Sequence, residues 1–231
     1  MIRRLIGALA LAATLAGCAA SGATQTDQQS LVDRSTLTLQ EMFTQNRNPQ
    51  AAALMKKAKA VMVCPRIFKA GFIVGGSGGG CVLVGRSATG ATGPAGWSGP
   101  AFYGIGSGSL GLQAGIQDSE LVLVVLTDKG LQSLLNSQFK FGAEAGVAVA
   151  TYGAGVQGAM TPALTADIVA FSTNRGLFAG IALDGTVLSS RSAWDQSYYG
   201  QMLSPQQIVL NLQGNNQGDA PLRAMLANIA G

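Results

Sequence analysis

Histidine is absent from this 231-residue sequence, and its absence removes much of the chemistry a polypeptide can do near neutral pH. Without it there is no Ser–His–Asp or Cys–His nucleophile and no imidazole metal site. The nearest carboxylate pair, Asp118 and Glu120, stands two residues apart at a strand entrance, a pattern more often solvated than catalytic. Asp184-Gly185 reads as a hairpin turn. What remains is charge and sulfur. Between Glu41 and Asp118 there is no acid, while Arg47, Lys56, Lys57, Lys59, Arg66, Lys69 and Arg86 all fall in that interval. A localised run of bases implies an anionic partner more than global basicity does.

Sulfur sits around a glycine-rich stretch, "KAGFIVGGSGGGCVLVG", Lys69 to Gly85. Gly75 and Gly80 have the spacing of a phosphate-binding loop, but Cys81 and Val82 stand where lysine and a hydroxyl are needed. Gly106, Gly108 and Gly111 match a dinucleotide fingerprint, but "LQAGIQDSELVLVV" follows as strand rather than helix. The stretch therefore reads as the tip of a β-hairpin between "FIV" and "CVLV", with glycine permitting the turn. Cys64 then ends one strand and Cys81 begins the next, close enough for a disulfide in an oxidising compartment, with two buried free thiols as the alternative.

Residues 1–17, with two arginines, an apolar run too short to span a membrane as a mature helix, and small residues before Cys18, read as a lipoprotein signal peptide, a leader removed on export. Leu15-Ala16-Gly17-Cys18 resembles the bacterial lipobox, which is cut before a cysteine that then carries acyl chains. At ~0.8 kcal/mol per buried CH₂, several such chains make a durable anchor. Ala19 follows where aspartate would favour inner-membrane retention, so the expected location is the bacterial envelope, at the outer membrane. Residues 18–29 then form a lipidated polar tether and 30–231 the folded domain.

Glycine numbers 32, about twice the usual ~7%, yet it is interspersed with Val, Ile, Leu and Ala, which suits close-packed strands and turns rather than disorder. Val32, Leu39 and Phe43 share one face of an early helix. Asn48-Pro49 starts a second helix, in which Ala51, Leu54, Met55 and Ala58 lie on one arc and Lys56, Lys57 and Lys59 on the opposite one. That arc is either a docking face or a solvated face over a packed helix. Strands dominate thereafter, and "LVLVVL" suits a central strand buried on both sides. "DKGLQSLLNSQ", the segment after Ser204-Pro205, and "APLRAMLANIA" read as helices. The fold class is α+β: one β-rich domain of seven or eight mostly antiparallel strands in a barrel-like or strongly curved sheet, with helices at both ends.

The motif order carries a resemblance. "AKAVMVCPRIFKAGFIVGGSGGG", Trp97 to Phe102 as "WSGPAF", Gly111-x-Gln113-x-Gly115, "FKFGAEAGVAVA", "FSTNRGLFAGIALDG" and Tyr198-Tyr199-Gly200 resemble the SYLF domain, also called the Ysc84 or DUF500 family, over roughly residues 30–230. The resemblance implies a lipid-binding module: eukaryotic members bind phosphoinositides through basic residues and an amphipathic N-terminal helix, and some bind actin. Carried to this sequence, the candidate lipid-binding residues are Lys56, Lys57, Lys59, Arg66 and Lys69. SH3 and FYVE partner domains are missing from this sequence, and Cys64 stands where the family commonly has an aromatic residue. In a bacterial envelope the anionic partner would be phospholipid or lipopolysaccharide headgroups. No cofactor, metal, nucleic-acid partner or catalysis is expected. The alternatives are a structural or interaction protein of the envelope and a carboxylate hydrolase.

Overall fold

A computed structural model describes residues 24–45, 49–71, 74–87, 96–110, 115–141, 146–151, 166–176 and 185–231. Cys18 and the leader lie outside these residues. The described residues open with helix α1 (Gln25–Leu39), so residues 25–29 of the expected tether are helical; a π-helical turn (Gln40–Gln45) continues it, and α2 (Pro49–Lys57) follows. Four long strands follow: β1 (Ala60–Gly71), β2 (Val74–Gly85), β3 (Ala101–Leu110) and β4 (Gly115–Val125). After α3 (Asp128–Leu135) come β5 (Gln138–Lys140), β6 (Val147–Thr151), β7 (Ile168–Gly176) and β8 (Val187–Ser190). The chain closes with α4 (Ser192–Tyr199), α5 (Pro205–Val209) and α6 (Ala220–Ala230). The strands form one curled half-barrel sheet in the order β5-β8-β3-β2-β1-β4-β7-β6. Every neighbouring pair is antiparallel except β6 with β7. The α+β class and the strand number follow the sequence expectation.

Strand alternation explains why both faces of the centre are dry. Val61, Val63, Val82, Val84, Phe102, Val122 and Val124 point to one side, where α1, α2 and α6 bring Val32, Leu54, Met55, Leu222 and Leu226. Met62, Cys64, Leu83, Tyr103, Leu121 and Leu123 point to the other, against Leu131 and Leu134 of α3 and Ile208 and Val209 of α5. Local signals set the helix starts. Thr127 Oγ1 accepts from the Gly130 amide at 3.1 Å, and Ser204 with Gln207 closes a capping box before Pro205.

The reading of the glycine stretch changes. The glycines of "VGGSGGG" are not a hairpin tip: β2 runs through them, paired to β1 on one side and β3 on the other. The connection between β1 and β2 falls at 72–73, outside the described residues. The segment 101–116 holds all of β3 and the first two residues of β4.

Proline should not sit in a central strand, since it lacks the ladder N–H, yet Pro65 is in β1. A bulge accommodates it. Val63 faces Val82 and Arg66 faces Gly80, so Cys64 and Pro65 together oppose Cys81. The extra residue reverses the alternation: Cys64 and Ile67 share the α3/α5 side, and Arg66 is turned to the α1 side. At this bulge Cys64 and Cys81 are joined, with Cα atoms 4.1 Å apart. They are mid-strand residues, not strand ends.

Candidate functional site

The basic residues singled out by sequence are distributed over three places. Lys56 and Lys57 occupy the exposed last turn of α2, where cations are favoured by the helix dipole. The apolar arc of that helix is packed inward, with Ala51, Leu54, Met55 and Ala58 all buried. Arg86 ties the helix end down: its Nη1 donates to the Lys56 carbonyl at 2.6 Å while its guanidinium lies 5.1 Å from the Trp97 ring centre. Lys59 is beyond the helix rather than on its arc, and its Nζ reaches both carboxylate oxygens of Asp128 at 2.7 Å. Arg66 forms a bidentate pair with Asp118, Nε to Oδ1 at 2.9 Å and Nη2 to Oδ2 at 3.1 Å. The guanidinium hydrogen bond holds the Asp118 carboxyl below its ordinary range. Lys69 lies near the far end of β1, on the sheet face opposite Arg66. One continuous basic face over these five residues is therefore not formed. Asp118 and Asp128 lie just past the acid-free interval in sequence, and β4, as the antiparallel neighbour of β1, brings them back beside it.

Glu120 is engaged structurally: Thr38 Oγ1 of α1 and Thr173 Oγ1 of β7 each donate to it at 3.2 Å. These bonds, with Leu31 seated over Gly80, hold α1 across the sheet near the bulge. A groove of ≈ 860 Å³ opens between α1 and the sheet, lined among others by Leu31, Arg34, Arg66, Phe68, Gly78 and Arg191. A second hollow of ≈ 510 Å³ adjoins it, sharing Arg34, Pro65 and Arg66 and adding Leu37 and Ile116. Large apolar side chains are exposed here: Leu37 at 62%, Phe68 at 41% and Ile116 at 63%. Arg191 is half-buried against Trp194, its guanidinium 4.8 Å from the ring centre, and burial lowers its pKa. Sequence reasoning missed Arg34 and Arg191 because it looked only inside the acid-free interval.

A buried polar clamp fixes the start of β3. Asp195 of α4 is fully buried, and its Oδ1 accepts from the Phe102 amide at 2.9 Å. Burial pushes this carboxyl up to about 7. Tyr199 donates from its hydroxyl to the Pro100 carbonyl at 2.8 Å, and Ser98 Oγ accepts from the Gly85 amide at 2.9 Å. A Cβ on Gly99 would lie 2.4 Å from the Tyr199 hydroxyl and 2.9 Å from Asp219 Oδ2, so this glycine is required by close approach. The motifs "WSGPAF" and "YYG" thus meet as packing. Among the described residues no cluster of three or more His, Cys, Asp or Glu could hold a metal, and no helix is long and apolar enough to cross a membrane.

The family described as "Ysc84: Las17-binding protein actin regulator" matches residues 106–229, more than half of the sequence. The chain belongs to the Ysc84 family. Human SH3 domain-containing YSC84-like protein 1 is 28% identical over 179 residues, covering 77% of this chain and 48% of that protein. The Xenopus laevis protein of the same name is 30% identical over 149 residues, 64% of this chain and 43% of its own length. LAS seventeen-binding protein 3 of Saccharomyces cerevisiae is 26% identical over 161 residues, 68% and 33% respectively. This Ysc84-family chain therefore spans about half, or less, of the length of these relatives.

Proposed function

We propose that this Ysc84-family domain docks on anionic lipid headgroups, held near its membrane by acyl chains on Cys18, and that it works without catalysis. The setting is a bacterial envelope, at the outer membrane, with phospholipid or lipopolysaccharide as the headgroup. The observation that carries the reading is the pair Lys56 and Lys57, exposed at the end of a helix whose apolar arc is already packed. A packed arc makes docking electrostatic. Each lysine near an anionic surface contributes about 1 kcal/mol, which suffices beside an anchor, and the attraction decays over a Debye length of ~8 Å. Lys59 and Arg66 are tied to acids and contribute less to such a surface.

The test is vesicle flotation of the mature chain without its anchor. Phosphatidylglycerol vesicles should bind it, phosphatidylcholine vesicles should not, and high salt should release it. Lys56→Glu/Lys57→Glu should abolish binding with the circular dichroism spectrum unchanged. Equal binding to both vesicle types, or unaltered binding by the double variant, overturns the reading. A protein-partner function then takes its place, which the family description and the yeast relative's name both favour, since each denotes binding to a protein.

A further inference from the structure

On the α1 side of the sheet, six glycines face each other across two strands. Gly76, Gly78 and Gly80 of β2 stand opposite Gly108, Gly106 and Gly104 of β3. Packing explains only the end pair. A Cβ on Gly80 would lie 3.0 Å from a Leu31 methyl, and one on Gly104 would lie 2.9 Å from Arg191 Nε. Among the described residues, the nearest atom to a Cβ at Gly76, Gly78 and Gly106 is a backbone oxygen at an ordinary 3.7, 3.7 and 3.6 Å, and at Gly108 nothing lies within 4 Å. None of the four has a positive φ. Gly79, on the opposite face, is the contrast: its Cβ would stand 2.3 Å from the Arg66 carbonyl oxygen. Glycine weakens a strand interior, so four glycines that neither the backbone nor any described neighbour requires need another cause. Their shared effect is a bare peptide floor, about 13 Å long from Gly76 to Gly80 at ~3.3 Å per residue, which enters the groove at Gly78 and Gly80 and continues beyond it along the sheet.

The walls give the chemistry of an occupant. Leu31, Phe68 and Trp194 offer apolar surface, and Phe68 stands directly opposite Gly78. Of the three arginines lining the groove, Arg66 is taken by Asp118, whereas Arg34 and Arg191 pair with no carboxylate among the described residues. The acid on the wall, Asp27, is occupied in capping Thr24, accepting from its amide at 2.9 Å and its hydroxyl at 3.0 Å. Unpaired guanidinium groups beside an apolar, side-chain-free trough complement an anionic head on an aliphatic chain.

We propose that this groove holds one molecule of a single-chain anionic amphiphile. Its phosphate or carboxylate is bound by Arg34 and Arg191, and its chain lies on the glycine floor toward Phe68. The proposal rests on the lipid reading above but places a one-to-one site away from Lys56 and Lys57.

Titration calorimetry of the mature chain with dodecyl phosphate below its micelle concentration tests it, with inorganic phosphate and dodecyl maltoside as the head-only and chain-only probes. Dodecyl phosphate should bind one per chain, at least tenfold tighter than either control. Arg34→Gln should weaken it toward the maltoside value. Gly76→Ala/Gly78→Ala/Gly106→Ala should keep or raise Tm while lowering affinity at least tenfold, because the added methyl groups fill the floor without touching the fold. Lys56→Glu/Lys57→Glu should leave dodecyl phosphate binding intact, so a failure of membrane docking is distinguishable from a failure of this site. Wild-type affinity in the triple alanine variant overturns the proposal, as does a Tm drop showing that the fold needs those glycines. So does phosphate binding as well as dodecyl phosphate, which would mean a plain anion site, or maltoside doing so, which would mean an unspecific apolar trough.

Discussion

Strands β1 to β4 are two different materials on either side of the Pro65 bulge. On one side, Ala60–Cys64, Cys81–Gly85, Ala101–Tyr103 and Leu121–Val125 are buried without exception, with helices on both faces. On the other, the same strands carry Gly75, Gly76, Gly78, Gly79, Gly80, Gly104, Gly106 and Gly108, and no residue from 75 to 80 is fully buried. The first half is where burial at ~25 cal/mol per Å² stabilises the fold. The second contributes little apolar area and keeps a groove open. Both share one hydrogen-bonded ladder, so the packed half can hold the open half in shape. A site can thus be kept bare without the domain losing its core.

The comparison breaks most visibly at an aromatic pair. Phe102→Ala, in the packed half, should cost about 3–5 kcal/mol in urea unfolding, because it leaves a cavity among Trp194, Tyr198 and the core valines. Phe68→Ala, in the open half, should stay within ~1 kcal/mol. Equal costs would show that the glycine-rich half is also a core.

The seam between the halves comes next. Cys64 and Cys81 close a loop at a sequence separation of 17, so Cys81→Ser should lower stability by ~2–4 kcal/mol under oxidising conditions. The same difference should shrink in excess reductant. A difference that persists undiminished would assign the loss to packing rather than to the cross-link.

A pH dependence rooted in the packed half sharpens the comparison further. Burial raises the Asp195 carboxyl to about 7 from its ordinary 3.8, so the native state binds its proton more tightly than the unfolded chain. The resulting stabilisation is complete below about pH 4 and is lost as pH rises through about 7. Asp195→Asn, which can still accept from the Phe102 amide, should flatten that decline when unfolding free energies at pH 4.5 and 7.5 are compared. An unchanged slope would place the titration elsewhere.

Pattern within a short window was enough for much of this fold. The inward arc of Ala51, Leu54 and Met55, the helix start at Ser204-Pro205 and the doubly buried strand at Leu121–Val125 all follow from periodicity and capping, which depend on near neighbours. The family was legible as well, because its motifs keep their order along the chain. Strand pairing was not. Whether "VGGSGGG" turns or extends depends on the partners β1 and β3 offer it, and glycine permits both conformations. The acid-free interval was a true property of the sequence, but it implied a basic face that Asp118 and Asp128 divide once β4 lies against β1. Arg34 from the first helix and Arg191 from beside the fourth become walls of one groove only because α1 and α4 close over the same sheet. Residue order determined the elements and the class of this domain. Tertiary structure decided which charges remain unpaired, because Coulomb partners are chosen by distance in space and not along the chain.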